Sequence, residues 1–160
     1  MDAAGSDHEF LREAIRLSRE GMAAGKGGPF GAVVVAAGKI VGRGSNLVLA
    51  TGDPTAHAEV VAIREAARAL GRYHLDGCDI YASCEPCPMC LGAIYWARIG
   101  KLVHAATQAD AARIGFGDQF IYEEMARPSA ARKLATRQIL REEAIAVMDE
   151  WQRLATRQMY

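Results

Sequence analysis

Neither sign of charge predominates in this chain: 19 Lys and Arg face 19 Asp and Glu, a formal net charge of +0, so no long-range field draws it toward a polyanion. A nucleic-acid partner is therefore disfavoured, with room left only for a local basic patch. Long hydrophobic runs are missing as well, and no stretch approaches the length that crosses a bilayer. The opening residues, Met1-Asp2-Ala3-Ala4-Gly5-Ser6, carry neither a basic segment nor an apolar core, so no export signal is expected. There is no internal repeat and no low-complexity tract. Cysteine is scarce. Of the four present, Cys84, Cys87 and Cys90 crowd into one short stretch, which argues against a pair of disulfides. Free thiols without an export signal imply the cytoplasm. What the chain does have is apolar bulk: 51% of 160 residues are hydrophobic, enough for one domain with a sizeable core.

The most informative stretch is His57-Ala58-Glu59, answered by Pro86-Cys87-Pro88-Met89-Cys90. One imidazole and two thiolates, His57, Cys87 and Cys90, make a ligand set that holds zinc and leaves a fourth tetrahedral position open to water. Zinc lowers the pKa of such a water, and a carboxylate beside it, Glu59, can take the released proton and deliver it to a leaving group. The pattern predicts a hydrolytic site. The alternative is a closed structural zinc site in which Cys84 supplies a third thiolate, but a closed site has no use for Glu59. Cys78 and Cys84 otherwise read as small buried residues at the two ends of a strand. His74 and His104 read as local hydrogen-bonding groups and not as ligands.

Periodicity alternates between helix and strand. Phe10, Ala14, Leu17 and Met22 space a first amphipathic helix capped by Ser6 or Asp7 and ended by Gly25-Lys26-Gly27-Gly28-Pro29. Two β-branched runs, 32–36 and 40–44, flank the hairpin signal Ala37-Gly38-Lys39. Asp53-Pro54 predicts a helix start, with Asp as N-cap, running to about Leu70 and closed by Gly71. A strand over 79–83 delivers the chain to the cysteines, whose helix begins near Pro86 or Pro88 and continues to about Arg98. The positive N-terminal end of that helix favours thiolates. A strand over 101–106 and a short helix over 109–114 follow, before Gly115-Phe116-Gly117-Asp118 breaks the pattern. The segment 127–131 reads as a linker and 137–157 as a long helix with a mixed charged face. A hairpin followed by strand–helix units implies an α/β fold with a mixed sheet covered by helices on both faces. Ligands in such sheets sit beyond strand ends where helices begin.

These residues resemble the zinc-dependent cytidine-deaminase-like superfamily and, within it, the guanine deaminase family. The likeness rests on the metal motifs, on Gly27-Gly28-Pro29-Phe30-Gly31-Ala32, on Leu91 to Arg98, on Gly115-Phe116 with Asp118, and on the terminal Tyr160. It is weakest between Arg127 and Arg157. It implies a three-layer α/β/α sandwich with a mixed sheet of about five strands. It also implies one zinc ion per subunit and hydrolysis of guanine to xanthine and ammonia, with a related small ring (guanosine, cytosine or a triazine such as ammeline) or a tRNA adenosine as alternatives.

By the same resemblance His57, Cys87 and Cys90 bind zinc, Glu59 shuttles the proton, and Asp118 is a second acidic shuttle. Gly117 stands where relatives often carry another acid. Phe30 stacks on the base, Asn46 and the backbone at Ala58 hydrogen-bond it, and Trp96 either packs or walls the pocket. The segment 132–160 is expected to exchange between the subunits of a homodimer, bringing Tyr160 over the substrate. No membrane partner is implied.

Overall fold

The computed structural model describes the backbone over 3–160 and side chains over 6–160. It contains two compact units, one ending at Phe120 and the other spanning Ile121–Tyr160. In the first, helix α1 (Ala3–Ala23) precedes strands β1 (Gly31–Ala36) and β2 (Lys39–Ser45), short helix α2 (Val48–Thr51) and helix α3 (Ala58–Leu70). Strand β3 (Cys78–Cys84), helix α4 (Pro88–Trp96), strand β4 (Lys101–Ala106) and helix α5 (Gln108–Arg113) complete it. Helix α6 (Gln119–Ala126), a 3₁₀ turn at Ser129–Ala131 and helix α7 (Arg141–Arg153) follow.

The sheet is mixed, in the order β2-β1-β3-β4, with β1 antiparallel to both neighbours and β3 parallel to β4. The described residues form these four strands, one fewer than the family resemblance implied. Only four runs in the sequence carry a strand pattern, and all four are used.

Strand alternation sorts the core into two clusters. Ala32, Val34, Ile80 and Ala82 face α3 and α4, packing with Ala58, Ala62, Ala66, Ile94 and Ala97. Val33, Val35 and Tyr81 face α1 and meet Phe10, Leu11 and Leu17. The two-residue loop between β1 and β2 has positive φ at both Ala37 (48°) and Gly38 (73°), the I′ geometry whose twist suits a tight hairpin.

Helix α3 lies unusually close to β2. A Cβ at Gly44 would stand 2.0 Å from the Ala58 carbonyl oxygen, and one at Gly42 2.3 Å from that of Ala62. Gly31 does the same on the other face, where a Cβ would stand 2.1 Å from the Ala14 carbonyl oxygen. Glycine on the strands and alanine on the helices set the layer spacing.

Several boundaries differ from the sequence reading. Ser6 and Asp7 lie inside α1 and do not cap it. Asp7 instead accepts hydrogen bonds from the Tyr81 hydroxyl at 2.6 Å and from Lys101 Nζ at 3.0 Å, fastening the start of α1 to β3 and β4. Asp53-Pro54 opens a turn, not a helix. Asp53 Oδ1 accepts from both the amide and the hydroxyl of Thr55, and α3 begins only at Ala58. Its end is as expected, with Gly71 left-handed at φ 62°. The last helix is shorter than 137–157 because Leu140 turns left-handed at φ 56° before it. Helices α2 and α6 were not foreseen.

Candidate active site

At the carboxyl end of β2, Asn46 turns the chain: its amide donates to the Phe30 carbonyl at 3.0 Å and its Oδ1 accepts the Val48 N–H at 3.2 Å. The chain then passes through α2 and the Asp53 turn and enters α3 with His57 as N-cap. At the carboxyl end of β3 it enters α4 with Cys87 as N-cap and Pro88 in the first helical position. Both caps are extended; the His57 side chain makes no cap hydrogen bond to α3, and the Cys87 thiol contacts Cys90 of its own helix. The two side chains turn toward each other.

His57 Nδ1 lies 3.6 Å from Cys87 Sγ and 3.6 Å from Cys90 Sγ, and the three donor atoms sit within 4.8 Å of one another. Bonds of 2.0–2.1 Å to nitrogen and 2.3 Å to sulfur at a tetrahedral angle put N and S about 3.6 Å apart, so this donor set fits zinc. Cys84 is not part of the group. Its Sγ donates to the Thr107 carbonyl at 3.4 Å, and burial pushes its thiol up to about 11, where it stays protonated. The closed four-ligand alternative therefore lacks its fourth donor. His104 pairs locally with the Ala106 carbonyl oxygen at 3.0 Å, and His74 stacks edge-on against Tyr73, its buried Nε2 unpaired.

The electrostatics suit acid–base work. Glu59, 7% exposed in the first turn of α3, has its carboxyl raised by desolvation. Asp118 is raised by partial burial and then by Cys87. Contact with Cys90, then with His57, brings the Cys87 thiol down to about 4, while Cys90 is pushed up by sharing that contact. His57 is raised first by its bond with Cys87. Thiolate at the positive end of a helix is the form that binds a metal.

A cavity of about 270 Å³ opens over this cluster, near the lower end of small-ligand pockets. His57, Cys87, Glu59 and Asp118 line it, together with Phe30 and Asn46. The rings of Phe30 and Phe116 meet edge to face at 5.0 Å and 89°. Gly28 packs against both rings, where a Cβ would meet Phe116 Cζ at 2.9 Å, and Gly27 packs against Asn46, where a Cβ would meet Oδ1 at 2.1 Å.

Phe116 as a cavity wall was not foreseen, nor were Val48, Leu49, Pro54 and Glu85. An aromatic between two glycines was the one available signal, and short α2 offered none. Ala58 is buried at the start of α3. Trp96 is not among the lining residues. It ends α4 six residues beyond Cys90, about 9 Å along the axis, and is 71% exposed. Tyr160 belongs to the second unit and is 72% exposed.

Residues 4–106 match the cytidine and deoxycytidylate deaminase zinc-binding region. The chain belongs to that zinc-binding deaminase family. Within it, the chain is 50% identical to the guanine deaminase of Bacillus subtilis (strain 168) over 155 residues, which is 96% of this chain and 99% of the relative. It superposes on the X-ray structure of guanine deaminase from Bacillus subtilis with a TM-score of 0.94 at 48% identity, covering 100% of this chain and 99% of the other. A tRNA-specific adenosine deaminase of Haemophilus influenzae is 42% identical over 120 residues, 72% of this chain and 69% of the relative. Among the described residues no helix is long and apolar enough to cross a membrane.

Proposed function

We propose that this zinc-binding deaminase hydrolyses guanine to xanthine and ammonia. The observation that carries the reading is likeness to a guanine deaminase along almost the whole chain, including the region beyond residue 106 where the zinc-binding match ends. His57, Cys87 and Cys90 would hold the ion, which would supply Lewis-acid activation of a water at near-neutral pH. Glu59 takes a proton from that water and carries it to a ring nitrogen of the purine. The hydroxyl adds to the carbon bearing the exocyclic amine, Asp118 takes that hydroxyl's proton and passes it to the amine, and the carbon–nitrogen bond breaks to leave a ring carbonyl and ammonia. Burial, nearly complete at Glu59 and partial at Asp118, raises both carboxyls above their ordinary values, so each holds a proton more readily than a free carboxylate and can both accept and return one.

Phe30 stacks on the base. The Asn46 amide nitrogen meets the ring edge, its oxygen being engaged by Val48. The Ala58 N–H adds a further contact, since the first four amides of a helix have no acceptor inside it.

The second unit completes the proposal. Leu134, Ile139, Leu140, Val147 and Met148 are all exposed in one chain, as are Tyr95 at 76% and Trp96 on α4. So much apolar surface calls for a partner of the same kind. We place a homodimer here in which 132–160 is exchanged, Trp96 joins the shared surface, and Tyr160 of one protomer closes its partner's cavity. The family's three-layer sandwich, with α1 outside one face of the sheet and α3 and α4 outside the other, a reducing cytoplasm that keeps the thiols free, and a place in purine breakdown or salvage complete this reading.

Ammonia release from guanine, guanosine, cytosine, adenine and ammeline tests the substrate. Guanine should be the preferred substrate, and release from guanosine but not guanine would defeat the assignment while leaving the chemistry intact. Deleting the last four residues tests the exchange. Turnover should drop at least about tenfold with zinc retained, as a lid that excludes water is lost, whereas unchanged turnover removes Tyr160 from the site.

A further inference from the structure

Glu85 lines the cavity, yet none of the steps above uses it. It stands two residues before Cys87, in the connection that carries β3 into α4. Three hydrogen bonds join the end of β3 and this connection to the end of β4 and the start of α5. The Glu85 amide donates to the Ala106 carbonyl at 2.9 Å, Cys84 Sγ donates to the Thr107 carbonyl at 3.4 Å, and Glu85 Oε2 accepts the Gln108 N–H at 3.1 Å. The last of these satisfies one of the donors that the start of α5 leaves without an acceptor.

Helix α5 has its own capping box between Thr107 and Asp110, which fixes the shape of its first turn but not its place against the metal-bearing loop. Of the three bonds across the junction, the one to the Glu85 side chain is the one that reaches α5 itself. The far end of α5 carries the consequence. Phe116 donates its amide to the Ala111 carbonyl at 3.0 Å, Gly115 donates to Ala112 at 3.0 Å, and Ala111 is buried. The cavity wall at Phe116, and Asp118 just beyond, therefore follow wherever α5 goes.

We infer that Glu85 is a positioning residue, whose carboxylate clamps the start of α5 so that Phe116 and Asp118 are held in register with the metal-binding loop. This rests on the guanine reading for its catalytic consequence only. Removing the clamp leaves the three metal donors in place and loosens the opposite wall, so the effect falls on substrate binding more than on the ion.

The partner of the carboxylate is a backbone amide, which allows it to be removed from either side. Glu85→Ala deletes the acceptor. Gln108→Pro deletes the donor at the first position of a helix, where proline is well tolerated, and Thr107 before it is already extended at φ −103° and ψ 167°. Each variant should lower kcat/KM for guanine about tenfold, the scale of one hydrogen bond to a charged group, by raising KM as Phe116 moves and lowering kcat as Asp118 moves with it, and with zinc content unchanged. The double variant should be no worse than either single one. Glu85→Gln, whose amide oxygen accepts the same N–H, should stay within about twofold of the parent.

Hydrogen exchange of the zinc-loaded protein over 108–118 reads the clamp without turnover: faster in Glu85→Ala and Gln108→Pro, at the parent rate in Glu85→Gln. Additive losses in the double variant, zinc loss in Glu85→Ala, or unchanged exchange in both single variants would overturn the inference. If the parent fails to release ammonia from guanine, the functional reading falls while the exchange comparison still decides the clamp.

Discussion

Glu59→Gln protein should hold one zinc ion per chain and lose at least about a thousandfold in kcat, within the range that a positioned proton carrier contributes. The glutamine keeps the shape and the burial. It cannot take a proton from water or return one to the purine ring. Because Glu59 lies outside the cluster of His57, Cys87 and Cys90, metal content should not move with it. Metal analysis beside a stopped-time ammonia assay makes the comparison. A variant with parental turnover would remove Glu59 from the chemistry, and one that lost its zinc would make it a ligand.

The second large effect is expected away from the cavity. Gly44→Ala places a methyl group 2.0 Å from the Ala58 carbonyl oxygen and 2.7 Å from the Ala62 nitrogen, so either β2 or the opening turn of α3 must shift. Both obstacles are backbone atoms, with no side-chain rotamer to give way. The loss should reach about 3 kcal/mol, the upper end of overpacking effects, which for a chain of this length lowers Tm by roughly 6–12 °C. Ala58 sits between His57 and Glu59, so zinc affinity should fall together with Tm. Gly92→Ala is the control: it lies within α4, has open space around it, and should be neutral or slightly stabilising because alanine is the better helix former. Thermal melts with and without added zinc check both variants.

The metal centre was legible because its chemistry is local to a few side chains whose types and spacing have few other uses. A histidine, two cysteines three apart and an acid beside the histidine predicted a site whose donors do converge. The hairpin was legible from Ala37-Gly38, and the end of α3 from Gly71. The start of α3 was misread because an aspartate before a proline serves a helix cap and a tight turn with the same hydrogen bonds, and Asp53 spends them on Thr55. The capping box of Thr107 and Asp110 was present in the sequence and places α5 one residue earlier than periodicity did. The apolar wall of the cavity was the least visible part. Val48, Leu49 and Phe116 do no chemistry, and only tertiary folding brings them together.

The two N-cap residues that face each other, His57 and Cys87, come from helices separated by an entire strand and loop. A bound ion that joins them ties off a ring of about thirty residues, which on the loop-entropy account used for disulfides is worth about 3–4 kcal/mol. The metal would thus serve as the molecule's staple as well as its reagent, and stripping it would leave a chain more open to proteases as well as an idle one.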